Sequence, residues 1–144
     1  MTPCELCSGP GGELVWQDEL CRVVLVGGEE GRAFPGFCRV VWKAHVPEMT
    51  SLTPGDRRHL MNVVFAVEAA LRTLARPDKI NLASLGNMVP HVHWHVIPRW
   101  RDDSHFPASI WAAAQRSSAV RPAPGIPELA GAIAEILAEE VAGI

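Results

Sequence analysis

Three histidines, His91, His93 and His95, stand at alternate positions in the run GNMVPHVHWHVIPR, residues 86–99. A neutral imidazole serves either as a metal ligand or as a nucleophile. Attack on phosphorus would form a covalent phosphoramidate. Two chemistries therefore fit. Three histidines and a water make a catalytic zinc. Alternatively one ring attacks while its neighbours donate hydrogen bonds to phosphoryl oxygens or protonate the leaving group. A merely solvated polar face is the plain alternative, and the same uncommon residue three times in register weighs against it. Cys4 and Cys7 form a C-x-x-C pair, a spacing shared by metal sites and redox thiols. Cys21 and Cys38 lie in apolar runs and read as small buried hydrophobes.

A strand over HVHWHVIP (91–98) puts the three histidines on one face and Val92, Trp94 and Val96 on the other, because side chains alternate with period two. ELVWQ and LCRVVLV around Asp18-Glu19 read as a hairpin, FCRVVWKAH (37–45) as a third strand ending at His45, and KINLAS as a fourth. GGEEGRAFPG (27–36) reads as a Gly-rich acidic loop. It is not a phosphate-binding P-loop, since no Gly-Lys-Ser/Thr follows. TPGDRRHLMNVVFAVEAALRTLA is the long helix. Thr53 caps it, Pro54 suits its first position and Asp56 its N-terminal dipole. Leu60, Val64, Val67, Leu71 and Leu74 form its apolar stripe. A short helix around ASIWAAAQ, a linker at 117–126 and a closing amphipathic helix at 127–144 complete the chain, with residues 1–116 as the main unit. Strands in runs around one long helix predict an α+β fold on an antiparallel sheet.

The chain of 144 residues suits one domain. A net charge of −3 does not mark a general nucleic-acid binder. No apolar run approaches the roughly 18 residues of a membrane span. MTPCELCSGPGG lacks the basic start and apolar stretch of a signal peptide, so a cytoplasmic location is expected, where disulfides are rare.

The segment HVHWHVI, read as His-φ-His-φ-His-φ-φ with φ apolar, resembles the signature of the histidine triad (HIT) family of nucleotide hydrolases and transferases. The similarity continues through FCRVVWKAHVPEMTSL, the long helix, INLASLG and the IPR after the triad, over roughly residues 4–100. RWRDDSHFPASIWA is similar to a bacterial group labelled dinucleoside polyphosphate hydrolases. The resemblance implies a HIT-like antiparallel sheet of about five strands with one long helix and C-terminal helices. It implies attack by His93 on the α-phosphate of a dinucleoside polyphosphate or nucleoside phosphoramidate. A nucleotidyl-histidine would form, and water would release a nucleoside monophosphate such as AMP. His95 would contact the phosphate and assist departure of the leaving group. The His93 Nδ1–H should be held by an acceptor, a backbone carbonyl best of all.

Asn81, Gly86 and Asn87 match phosphate-contacting positions. Many members follow that glycine with Gln and then Ser or Thr, where this chain has Asn87 and Met88. The missing hydroxyl bears on the leaving group, and Ser84 is a candidate substitute. Some members bind structural zinc, and the matching positions are Cys4, Cys7, His45 and His91. Two cysteines with two histidines are a favoured zinc set. The family also implies a homodimer with sheets joined across the interface. A zinc hydrolase with three histidine ligands and a non-catalytic nucleotide sensor are the alternatives.

Among the remaining residues, Glu29 and Glu30 match loosely an acidic position against ribose hydroxyls. Arg99 and Arg101 flank the triad and either offset substrate charge or serve as surface arginines. His59 reads as partly exposed and His105 as structural or a lip of the cleft. Trp16, Phe34 and Trp111 read as core rather than as platforms for a base.

Overall fold

The computed structural model describes residues 3–142. Residues 1–2 and 143–144, at the two ends of the expected units, lie outside the described residues.

Asp18 turns the first hairpin. Its Oδ1 accepts from the Leu20 and Cys21 amides, each at 2.9 Å, an Asx turn that leaves β1 (Glu13–Gln17) antiparallel to β2 (Cys21–Leu25). β3 (Cys38–Trp42), β4 (Lys79–Ala83) and β5 (His93–Arg99) complete a five-stranded antiparallel sheet in the order β1-β2-β3-β5-β4. The sheet and long helix are those expected of an α+β chain.

The long helix, α3 (Pro54–Leu74), starts as its sequence dictates, with the Thr53 side chain accepting from the Asp56 amide at 3.1 Å and Pro54 in the first turn. Leu60, Val64, Val67 and Leu71 are fully buried against the sheet with Val63, Ala66 and Ala70. Leu74, assigned to the same stripe, is 38% exposed. The helix ends there, past the edge of the core it covers. Val23, Val40, Val92 and Val96 supply the sheet side of that core. Leu129 and Ile133 of α4 (Ile126–Ala142) enter the same cluster with no exposed surface.

Three local expectations change and one element is added. The loop at 27–36 contains a short helix, α2 (Gly28–Ala33), closed by the Phe34 amide on Glu30 O. A one-turn helix, α1 (Glu5–Ser8), forms within the C-x-x-C segment. β3 stops at Trp42, so His45 lies in the following loop. ASIWAAAQ is a series of turns, not a helix. The Gln115 and Arg116 amides both return to Ser104 O, and Arg116 Nη1 donates to Asp103 O and Phe106 O. Those bonds fold the segment back on the end of β5 and take the donors that a helix would have used.

Candidate functional site

His91 precedes β5, and its ring belongs to a different cluster from those of His93 and His95. Its Nε2–H donates to Trp42 O, which leaves the Nδ1 lone pair facing Cys4 Sγ at 3.4 Å, Cys7 Sγ at 3.5 Å and His45 Nδ1 at 3.3 Å. Cys7 Sγ is 3.4 Å from His45 Nδ1. A zinc tetrahedron with bonds of about 2.3 Å to sulfur and about 2.05 Å to nitrogen has N–N edges near 3.4 Å and N–S edges near 3.6 Å. The four donors therefore fit zinc in chemistry and in spacing, and the Trp42 carbonyl fixes the His91 tautomer as an outer partner should. α1 supplies the short turn that brings Cys4 and Cys7 together. Neither His93 nor His95 belongs to any metal-competent cluster among the described residues.

His93 and His95 line a cavity of about 520 Å³. The expected acceptor for His93 is present: its Nδ1–H donates to His91 O at 2.6 Å. A carbonyl can only accept, so the lone pair lies on Nε2. The candidate zinc ligand thus holds the neighbouring histidine through its own backbone. His95 packs edge-on against His93, Trp111 and Phe37, with ring centroids 5.0, 5.3 and 5.7 Å away. Its Nδ1 is buried without a partner. Burial, then the His93 and Arg39 charges, lower its pKa to about 4. His95 is therefore neutral near pH 7, a hydrogen-bond donor rather than a stored acid.

Gly86 and Asn87 line the same cavity. Gly86 has φ +73°, and an added Cβ would meet nothing closer than Val89 O at 3.6 Å. Glycine is needed here for its left-handed backbone, not for space. Asn81 lies on the histidine face of β4, opposite Ile97 and two residues from the Ala83–His95 pair. Its Oδ1 accepts from Arg99 Nη1 at 2.8 Å, which leaves its NH2 as donor. Ser84 is no free substitute for the missing hydroxyl, because its Oγ donates to His93 O at 2.7 Å. Met88 is 93% exposed at the cavity wall.

Arg99 does not line the cavity. It is buried, paired with Asp103 at 2.8 and 3.1 Å, bonded to Ala108 O and flanked by Phe34 and Phe106. Arg101 is exposed on a turn held by Asp78. Glu30 lines the cavity but Glu29 does not. Phe34 is core, Trp16 packs against the core, and His105 stacks near Phe34. Cys21 and Cys38 are buried thiols whose pKa burial pushes up to about 12. His59 bonds Asp18 at 2.6 Å and joins the hairpin to α3.

One wall residue was expected in the core, and another carries a charge that the sequence did not single out. Trp111 is half exposed and faces His95 instead of the core. Arg39 also lines the cavity, and its signal was a lone charge in the otherwise apolar strand CRVVW.

A family model described as the HIT domain matches residues 12–102, more than half of the chain. An AP-4-A phosphorylase of Mycobacterium tuberculosis is 30% identical over 78 residues, 50% of this chain. The chain spans only 40% of that relative's length in the match. A histidine triad protein of Sinorhizobium meliloti superposes with a TM-score of 0.68 at 28% identity, over 93% of this chain and 95% of the other. A Zn-bound histidine triad family protein of Mycobacterium smegmatis shares the fold, with a TM-score of 0.60, 21% identity and coverage of 98% and 97%.

Proposed function

The chain belongs to the histidine triad (HIT) family, and on that premise we propose that it is a nucleotide phosphohydrolase acting through a covalent nucleotidyl-histidine. Substrates are dinucleoside polyphosphates or nucleoside phosphoramidates, and the product is a nucleoside monophosphate, AMP in the first instance. The His93 Nε2 lone pair forms an N–P bond at the α-phosphorus. The bond from phosphorus to the leaving group breaks, and its electron pair departs with that group. Water then adds through oxygen, gives its proton to solvent, and the N–P electrons return to Nε2. His95 donates a neutral N–H hydrogen bond to the charge that develops on the phosphoryl and departing atoms. Gly86 and Asn87 on the cavity wall form the phosphate cradle, with the NH2 of Asn81, on the same sheet face but outside the cavity lining, as a further donor.

The observation that carries this reading is the 2.6 Å bond from His93 Nδ1 to His91 O, which leaves the Nε2 lone pair free in a ring on the cavity wall. Quenching turnover of a labelled dinucleoside polyphosphate with alkaline detergent should leave nucleotide on the protein through a base-stable bond that acid then releases. His93→Asn should abolish the label and still bind nucleotide. Persistent label in that variant would overturn the assignment.

Cys4, Cys7, His45 and His91 would hold a structural zinc that ties the N-terminal segment to the histidine strand. We read the protein as a cytoplasmic homodimer, in a compartment where the thiols stay reduced.

Similarity to an AP-4-A phosphorylase supports a second reading, in which inorganic phosphate replaces water as the acceptor. Phosphorolysis would release a nucleoside diphosphate where hydrolysis releases a monophosphate. Chromatography of products with and without added phosphate separates the two.

A further inference from the structure

We propose that Arg39 grips the phosphoryl group of the substrate and is the cation of the site, an assignment that rests on the nucleotide-processing reading above. Arg39 stands directly opposite His95 in the β3–β5 ladder, so the two side chains share a sheet face. It lines the cavity with His93 and His95, as the only lysine or arginine among the described lining residues.

The guanidinium is half-buried and underused. Nη1 donates to Gly11 O at 3.1 Å, and the group lies 5.6 Å from the Phe37 ring centre. No carboxylate pairs with it among the described residues. The other buried or half-buried arginines on this side of the molecule are committed. Arg22 holds three carbonyls of the N-terminal segment, and Arg99 holds Asp103. A merely structural anchor for Gly11 would need one N–H, whereas Arg39 brings five donors in a planar fork.

An anion is the partner that such a fork lacks. Charge-assisted bonds are roughly twice as strong as neutral ones and match phosphoryl oxygens two at a time. Charge on those oxygens also shifts during attack, so a fixed cation beside them stabilises the transition state. The same wall carries Glu5 and Glu30. Without Arg39 the cavity would present two carboxylates and no lysine or arginine to a polyanion. Arg39 also helps to keep His95 neutral, which preserves His95 as an N–H donor to the same phosphate.

Binding of AMP, inorganic phosphate and adenosine to Arg39→Met and Arg39→Lys, by titration calorimetry, tests the assignment. Arg39→Met should weaken AMP and phosphate about tenfold to a hundredfold, the loss expected of one charge-assisted contact. Adenosine affinity, zinc content and melting temperature should stay near the parent values. Arg39→Lys should recover part of the AMP affinity. If Arg39→Met does not fold, the AMP-to-adenosine affinity ratio of Arg39→Lys decides, and a ratio equal to the parent overturns the proposal. Unchanged AMP binding in Arg39→Met also overturns it, as does an equal loss for AMP and adenosine. The ratio is read at equilibrium in Arg39 variants with His93 intact, so a failure of covalent labelling would sink the catalytic reading while the binding ratio still judges Arg39.

Discussion

At the scale of single residues, the backbone separates two histidines that differ by two positions. His93 is held through Nδ1 by a carbonyl, and His95 is enclosed by three rings with its own Nδ1 unpartnered. His95 consequently has a folded pKa of about 4, against an ordinary value of 6.5. As pH falls, the unfolded chain takes up a proton before the folded one. The stability linked to a neutral His95 is thus fully present above pH 6.5 and is lost between 6.5 and about 4. The ring should titrate near pH 4 by NMR, and the melting temperature should fall over that interval. In His95→Asn this part of the decline should vanish. A ring titrating near 6.5 would show that His95 is solvated in solution and would remove its role as a neutral donor.

At the scale of elements, the loop before β5 and the one-turn α1 stand between two sites. Glu5, Met88 and Val89 line both the histidine cavity and a second hollow of about 670 Å³ beside Cys4, Cys7 and His45. Metal ligation and cavity shape share these walls, yet the two sites should separate by mutation. Cys4→Ser should lower zinc content well below one per chain. The melting temperature should fall roughly 2–4 °C for each kcal/mol of lost binding. Some activity should persist wherever the protein stays folded. His93→Asn should keep its zinc and stability and lose turnover. Metal analysis, melting and turnover on these two variants check both outcomes. A His93→Asn protein that is folded but free of zinc would restore the three-histidine metal site.

At the scale of the whole molecule, the sheet has two ends that differ. β1 lies beside α4, whose Leu129 and Ile133 seal the core, while β4 ends the sheet beyond β5. No strand pairs with the outer side of β4 among the described residues. An unpaired edge invites another strand, and a two-fold axis there would continue the sheet into a second copy. No described helix is long and apolar enough to cross a membrane. Sedimentation at micromolar concentration should give about twice the chain mass, and a strict monomer would count against the shared sheet.

The sequence by itself determined the five strands and the long helix, and it marked the histidines as the residues able to do chemistry. Period-two alternation placed Val92, Trp94 and Val96 in the core, and the Thr53–Pro54 start and apolar stripe marked α3. The Cys4, Cys7, His45 and His91 grouping was legible only through the family resemblance, because no local pattern joins residues 87 positions apart. Tertiary structure decided the rest. Alternation says which face a residue takes, not what it meets there. The chain leaves the regular ladder before β5, where the Val92 amide bonds Val46 O, so His91 turns to the cysteines while His93 and His95 keep the cavity. Arg99, beside the triad in sequence, is drawn into the interior by Asp103, whereas Arg39, far from it in sequence, faces His95 through strand register. Long-range pairing of strands set these partners, and it depends on how the whole core closes rather than on any local run of residues.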